Sequence, residues 1–218
     1  LLGLGYLLLL ITFAQAMIIA FILVLLPLFR LQKIGSGKWS VLLYFSSLGV
    51  GYMFMEMVLI KYFSLYLGHP IYSASTVISI MLISSGLGSR YSEKLGLFVK
   101  PHLRVLGLVA VIALIYSLIL GPLLSGTVGF ETATKVALTI IIIGMPAFFM
   151  GMPFPLGLKK LDSEHKEVVP WAWGVNGFAS VISVSLAVIF SVELGFVIVL
   201  VLSALAYLLA FLSIRNFA

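Results

Sequence analysis

The sequence predicts an all-α fold: a polytopic membrane helix bundle of about seven transmembrane helices, with the N-terminus outside and the C-terminus cytoplasmic. Three observations carry this expectation. Of the 218 residues, 62% are hydrophobic and 9% charged, with a mean hydropathy of +1.26, whereas soluble domains carry about 25% charged residues. The apolar residues gather into segments long enough to span a bilayer, each bounded by charge or by Gly and Pro. The basic residues collect in the loops on one side of those segments.

The segments cover about residues 4–29, 39–67, 70–89, 105–124, 134–152, 171–190 and 195–214, which makes residues 1–218 a single transmembrane helical domain. Loops after the first, third and fifth segments, with the C-terminal tail, hold Arg30, Lys33, Lys38, Arg90, Lys94, Lys100, Arg104, Lys159, Lys160, Lys166 and Arg215. Of the 13 Lys and Arg residues, this leaves only Lys61 and Lys135 for the other face. Positive loops stay in the cytoplasm, so the asymmetry sets the orientation. It also accounts for the net charge of +6 through topology and lipid headgroups, with no nucleic-acid partner. The expected setting is an integral membrane protein of a prokaryotic inner membrane.

The first segment is apolar on all sides except at Gln15, a residue expected to hydrogen-bond a neighbouring helix. Residues 1–20 show no initiator Met, no basic n-region and no small-residue cleavage site, so the chain is expected to begin inside a longer polypeptide. Trp39, Trp171 and Trp173 stand at inner helix ends, where interfacial aromatics are favoured.

The second segment carries one carboxylate, Glu56, about 25 Å of helix beyond Trp39 at 1.5 Å per residue. That depth places it in the outer third of the bilayer, where an acid is costly and invites a functional reading beside the structural one of a hydrogen-bonded acid. Lys61 lies about 140° around the helix from Glu56, so it is expected to snorkel to water instead of pairing. Gly49 and Tyr52, seven and four residues earlier, share the Glu56 stripe and turn it towards other helices. Lys135 and His69, on the same outer side, are the candidate partners. His69 itself reads first as a cap at the Gly68-His69-Pro70 break, with pH gating or ligand contact as the alternative.

The third segment is rich in Ser, Thr and Gly from Ser73 to Ser89, and Gly174, Gly177, Ser180 and Ser183 give the sixth a small-residue edge. Small residues let backbones approach, so both are expected in the bundle interior. The nearly apolar fourth segment reads as a lipid-facing helix. The fifth opens with Glu131 and Lys135 at an i,i+4 spacing and ends in Gly144-Met-Pro-Ala-Phe-Phe-Met-Gly-Met-Pro-Phe-Pro-Leu-Gly157. Proline removes a backbone donor, so this helix should kink at Pro146 and break near Pro153. Backbone freed there must find a partner or face a polar cavity.

No enzyme site is legible, and no catalytic, cofactor-binding or metal-binding residue is assigned. With 0 Cys, disulfides, thiolate chemistry and cysteine-held metals are excluded. Gly3-Leu4-Gly5 and Gly86-Leu87-Gly88 lack the strand-turn-helix setting of a phosphate loop. His69, His102 and His165 fall in separate loops, outside the spans, which disfavours a shared metal site and bis-histidine haem. A quinone asks only for an apolar slot with one or two polar contacts, and stays open.

The stretches GVGYMFMEMVLIKYFSLYLGHPIYSASTVISIMLISSGLGSR, GMPAFFMGMPFPLGLKKL and PWAWGVNGFASVISVSLAV, from residue 49 to residue 188, resemble the membrane region of the membrane-embedded spermidine synthase-like proteins of bacteria and archaea. Glu56, Gly68, His69, Pro70, Tyr72, Gly86, Gly88, Ser89, Pro153, Pro155, Trp173, Asn176 and Gly177 carry the likeness. The family joins multispanning segments to a Rossmann-like domain related to polyamine aminopropyltransferases, a domain these 218 residues do not contain. The resemblance therefore implies a membrane module without catalytic residues of its own. Expected partners are membrane lipids and either a soluble Rossmann-like domain in the same chain or other membrane subunits. The leading functional expectation is an anchor that passes a small amine or lipid-like substrate along a polar path through Glu56, Tyr52, His69, Lys135 and Asn176. The alternative is a structural subunit of a larger respiratory or photosynthetic membrane complex.

Overall fold

The computed structural model describes residues 2–20, 22, 37–92, 94, 101–164 and 166–216, and every regular element among them is helical. The order is α1 (Leu2–Ala20), α2 (Lys38–Leu67), α3 (Pro70–Tyr91), α4 (Pro101–Thr127), α5 (Thr132–Met150), α6 (Pro153–Glu164), α7 (Val169–Glu193) and α8 (Phe196–Ser213). Short 3-10 turns follow at Lys166–Val168 and Ile214–Asn216. Six helical stretches are long and apolar enough to cross a membrane: Lys38–Leu67, Pro70–Tyr91, Leu103–Thr127, Thr132–Ser163, Lys166–Glu193 and Phe196–Ser213. They mark an integral membrane protein. Of the first expected segment, residue 21 and residues 23–29 lie outside the described residues, as do Arg30, Lys33, Lys100 and His165.

Local chemistry sets the turns. Gly68 closes α2 in the left-handed region at φ 78°, a conformation that glycine adopts without a Cβ penalty. His69 is extended, and Pro70 starts α3 with its φ already fixed for a helix. Gly195, at φ 87°, makes the corresponding reversal between α7 and α8. The GMPFP stretch breaks the fifth span as expected. α5 runs through Pro146 and stops at Met150, Gly151-Met152 forms a turn, and α6 restarts at Pro153.

The helix at the centre is α2, against which α3, α7 and α8 all pack; α4 and α5 then close a ring with α8 and α3. In its most apolar stretch 56% of residues are buried, against 22% for α3 and 17% for the α7 span. The expectation of α3 and α7 as interior helices is therefore corrected: they flank α2. Their small residues do serve close approach. A Cβ on Gly49 would meet Ser180 Oγ at 2.8 Å, and one on Gly88 would strike the Phe148 carbonyl. Gly174 and Gly177, however, face open space, so the expected edge closes only at its Ser180 end. The fourth segment is also corrected, because α4 buries Leu106, Val109, Ala113, Tyr116 and Leu120 against α8 and α5. An apolar composition satisfies a helical interface as well as lipid, so composition alone does not separate the two.

Polar groups tie the helices together. Tyr44 donates to Pro153 O at 2.6 Å, Ser203 to Gly51 O at 2.7 Å, Tyr116 to Ile142 O at 2.7 Å and Ser73 to Phe63 O at 3.0 Å. Gln15 does not join them. It is exposed and makes no hydrogen bond among the described residues, and the main packing of α1 is on α7. Of the tryptophans, Trp39 and Trp173 are each 58% exposed, whereas Trp171 is buried and belongs to the core instead of an interfacial belt.

Candidate functional site

The start of α2, the end of α3, the α5–α6 break, the start of α7 and the end of α8 come to one end of the bundle. Lys160 of α6 donates to Ile214 O at 3.0 Å there, beside the end of α8. Lys38, Arg90, Lys159, Lys160, Lys166 and Arg215 gather at this end. Just inside it lies a cavity of about 550 Å³. Its walls are Leu48, Gly49, Tyr52 and Met53 of α2, Leu82, Ser85, Gly86 and Ser89 of α3, Trp173, Asn176 and Ser180 of α7, and Tyr207 of α8. Met150, Gly151, Phe154 and Pro155 floor it. The broken helix thus faces a cavity, the condition that irregular backbone at membrane depth requires.

The polar wall follows from helix geometry. Gly49 lets α7 approach until Asn176 Nδ2 donates to Phe45 O at 2.9 Å. A carbonyl can only accept, so this contact fixes the amide with Nδ2 towards α2 and leaves Oδ1 as the acceptor. Tyr52 reaches Ser85 Oγ at 3.4 Å, a long and weak bond, and Ser85 in turn bonds Leu82 O at 3.3 Å. Gly51 makes room for the Tyr207 ring, which a Cβ there would meet at 2.7 Å. That ring is 1% exposed, yet its hydroxyl makes no hydrogen bond among the described residues, and no fully enclosed polar atom is left unpaired. Tyr207 is nonetheless one of the residues that line the cavity. Phe154 and Trp173 meet edge to face at 4.6 Å between ring centroids, forming an aromatic rim.

Of the five residues singled out from sequence, the cavity brings together two, Tyr52 and Asn176. Glu56 stands one turn beyond Tyr52 on α2, half-buried, outside the cavity lining. Among the described residues it makes neither a hydrogen bond nor an ion pair, so the partner expected from the third or fifth segment is not formed. His69 and Lys135 lie at the opposite end. His69 caps α3 through its backbone, accepting from Ser73 N at 2.9 Å and Ser73 Oγ at 2.8 Å, while its exposed ring meets Tyr72. Lys135 holds its ammonium 5.5 Å above the Tyr66 ring in place of an ion pair with Glu131. Lys61 is exposed, as its helical position predicts.

Tyr207, Ser85, Trp173 and Phe154 are among the cavity residues not read as such from sequence. A signal existed for the first. Ser203 and Tyr207 are spaced i,i+4 and are the main polar interruptions of an otherwise apolar helix, which marks its inward face. Among the described residues, no charged side chain lines the cavity. Among the described residues, no group of three His, Cys, Asp or Glu side chains could hold a metal ion.

Fold and site define a class: a polytopic helical membrane protein with an uncharged, hydroxyl-lined cavity just inside its basic end. No family model, curated protein or solved structure matches the chain.

Proposed function

We propose that this chain is the membrane module of a spermidine synthase-like protein and that it binds a small amphipathic molecule, an amine or a lipid-like compound, in the cavity between α2, α3 and α7. The observation that carries the reading is the cavity itself, whose volume of about 550 Å³ falls in the range of small-molecule sites. Its apolar walls and few converging polar groups have the usual make-up of such sites. Glu56, one turn above Tyr52, would supply the charge for an amine, and the basic end would lie in the cytoplasm of a prokaryotic cell by the distribution of Lys and Arg. Anchoring of a Rossmann-like domain rests on the resemblance of GHP, GMPFP and WGVNG to that family.

The test uses nanodisc-embedded protein with two probes, tritiated spermidine and a tritiated short-chain acylglycerol. Gly86 lines the cavity and has open space around its missing Cβ, so Gly86→Phe fills the cavity without displacing backbone. Saturable binding of either probe that is lost in Gly86→Phe supports the reading. Spermidine binding, if present, should fall in Glu56→Gln while acylglycerol binding persists. Absence of saturable binding for both probes overturns it.

One observation favours a structural-subunit reading as well. Gly174 and Gly177 leave the outer face of α7 free for another helix to approach closely.

A further inference from the structure

Resting on the cavity as the ligand site, we infer that its ligand is an uncharged amphiphile of carbonyl-and-hydroxyl chemistry, an acylglycerol-type headgroup on an apolar tail, that reaches the site sideways from the bilayer between α3 and α7. Access comes first. α3 and α7 both pack on α2 and both line the cavity, yet they share no extensive contact with each other. Leu82 of α3 is 63% exposed and Trp173 of α7 is 58% exposed. The proposed entrance lies between these two exposed lining residues, whereas Phe154 and Pro155 line the side towards the basic end.

The chemistry of the wall selects the headgroup. Tyr207 is all but fully buried and lines the cavity, and no hydrogen bond of its hydroxyl is found among the described residues. A phenol in a cavity wall can donate to a ligand oxygen. Tyr52 gives up only a 3.4 Å bond to Ser85 when it turns to a ligand. Two phenol donors therefore converge on an acceptor such as an ester or ketone carbonyl. Asn176, its Nδ2 committed to Phe45 O, offers Oδ1 to a ligand hydroxyl. Among the described residues an anion would find no cation on these walls, and the nearest carboxylate, Glu56, stands a helical turn outside the lining. Burying either charge unpaired is disfavoured by several kcal/mol, which leaves a neutral headgroup.

The experiment labels the chain in nanodiscs with three photoactivatable diazirine probes of equal tail length: a monoacylglycerol, a primary alkylamine and a phosphatidic acid. The expected result is saturable labelling by the monoacylglycerol at Met53, Leu82 or Trp173, competed by unlabelled monoacylglycerol, with neither charged probe labelling saturably there. Tyr207→Phe keeps the ring that packs on Gly51 and removes only the donor, so apparent affinity should fall about three- to tenfold. Tyr52→Phe should act in the same direction, and circular dichroism with thermal melting checks that both variants stay folded. Saturable labelling by the amine or the phosphatidic acid instead would overturn the headgroup assignment and leave the ligand site standing. Absence of labelling by all three would overturn both. Labelling by the monoacylglycerol with unchanged affinity in both Phe variants would overturn the assignment of the tyrosine donors.

Discussion

At Gly88 an added methyl group would run into the Phe148 carbonyl across the α3–α5 contact, and backbone cannot move aside as a flexible side chain can. Gly88→Ala should therefore cost about 1–3 kcal/mol, the range for overpacked sites, seen as a lower thermal midpoint in detergent. Gly107 is the contrast, since nothing lies near its missing Cβ. Gly107→Ala should raise the midpoint, because alanine is favoured over glycine in a helix by up to about 1 kcal/mol. Tyr44→Phe removes a buried donor to Pro153 O, a carbonyl that as the first of α6 keeps its intrahelical partner, so the loss should be about 0.5–1.5 kcal/mol. Residues of this kind were partly legible in the sequence. Gly49, Tyr52 and Asn176 stood out because polar or minimal side chains are conspicuous among Leu, Ile and Val. Tyr207 did not, because its role depends on Gly51 admitting the ring from a helix roughly 150 positions earlier in the chain. Glu56 stood out most, yet it lies beyond the cavity lining.

Helix breaks were the readable feature at the level of elements. Gly68-His69-Pro70 and Gly151-Met152-Pro153 carry their own backbone chemistry, and both breaks fall where that chemistry places them. Which helices occupy the centre was not readable. In a soluble bundle, apolar periodicity separates core from surface, but lipid is as apolar as the core and that contrast disappears. Ser and Gly in α3 and α7 report where backbones touch, and they do so at Gly49–Ser180 and Gly88–Phe148 while both helices remain peripheral. The outer face of α7 gives a direct check. Gly177→Leu projects into open space and should change the stability of the isolated protein by no more than about 0.5 kcal/mol, measured by thermal unfolding. A large loss would mean that the face is packed.

The bundle as a whole was legible through composition, because 9% charged residues with long apolar runs leave no other architecture. About seven spans are expected from it, and six helices of spanning length stand among the described residues. Orientation rests on charge alone and is open to a clean test, since the chain has 0 native Cys. With Ser163→Cys in the last turn of α6 and Gly129→Cys in the α4–α5 turn, a membrane-impermeant maleimide applied to intact cells should label Gly129→Cys only. Labelling of Ser163→Cys alone would reverse the orientation.

The central claim is that the hydroxyl-lined cavity opens to lipid between α3 and α7, and Trp173 at its rim reports on this directly. Of the 3 Trp residues, Trp39 and Trp171 are replaced by Phe, and fluorescence is followed in bilayers whose acyl chains carry bromine near the middle. Strong quenching of Trp173 by the brominated chains, relieved as monoacylglycerol is added, is the predicted result. Quenching by aqueous acrylamide with no effect of the brominated chains would contradict it.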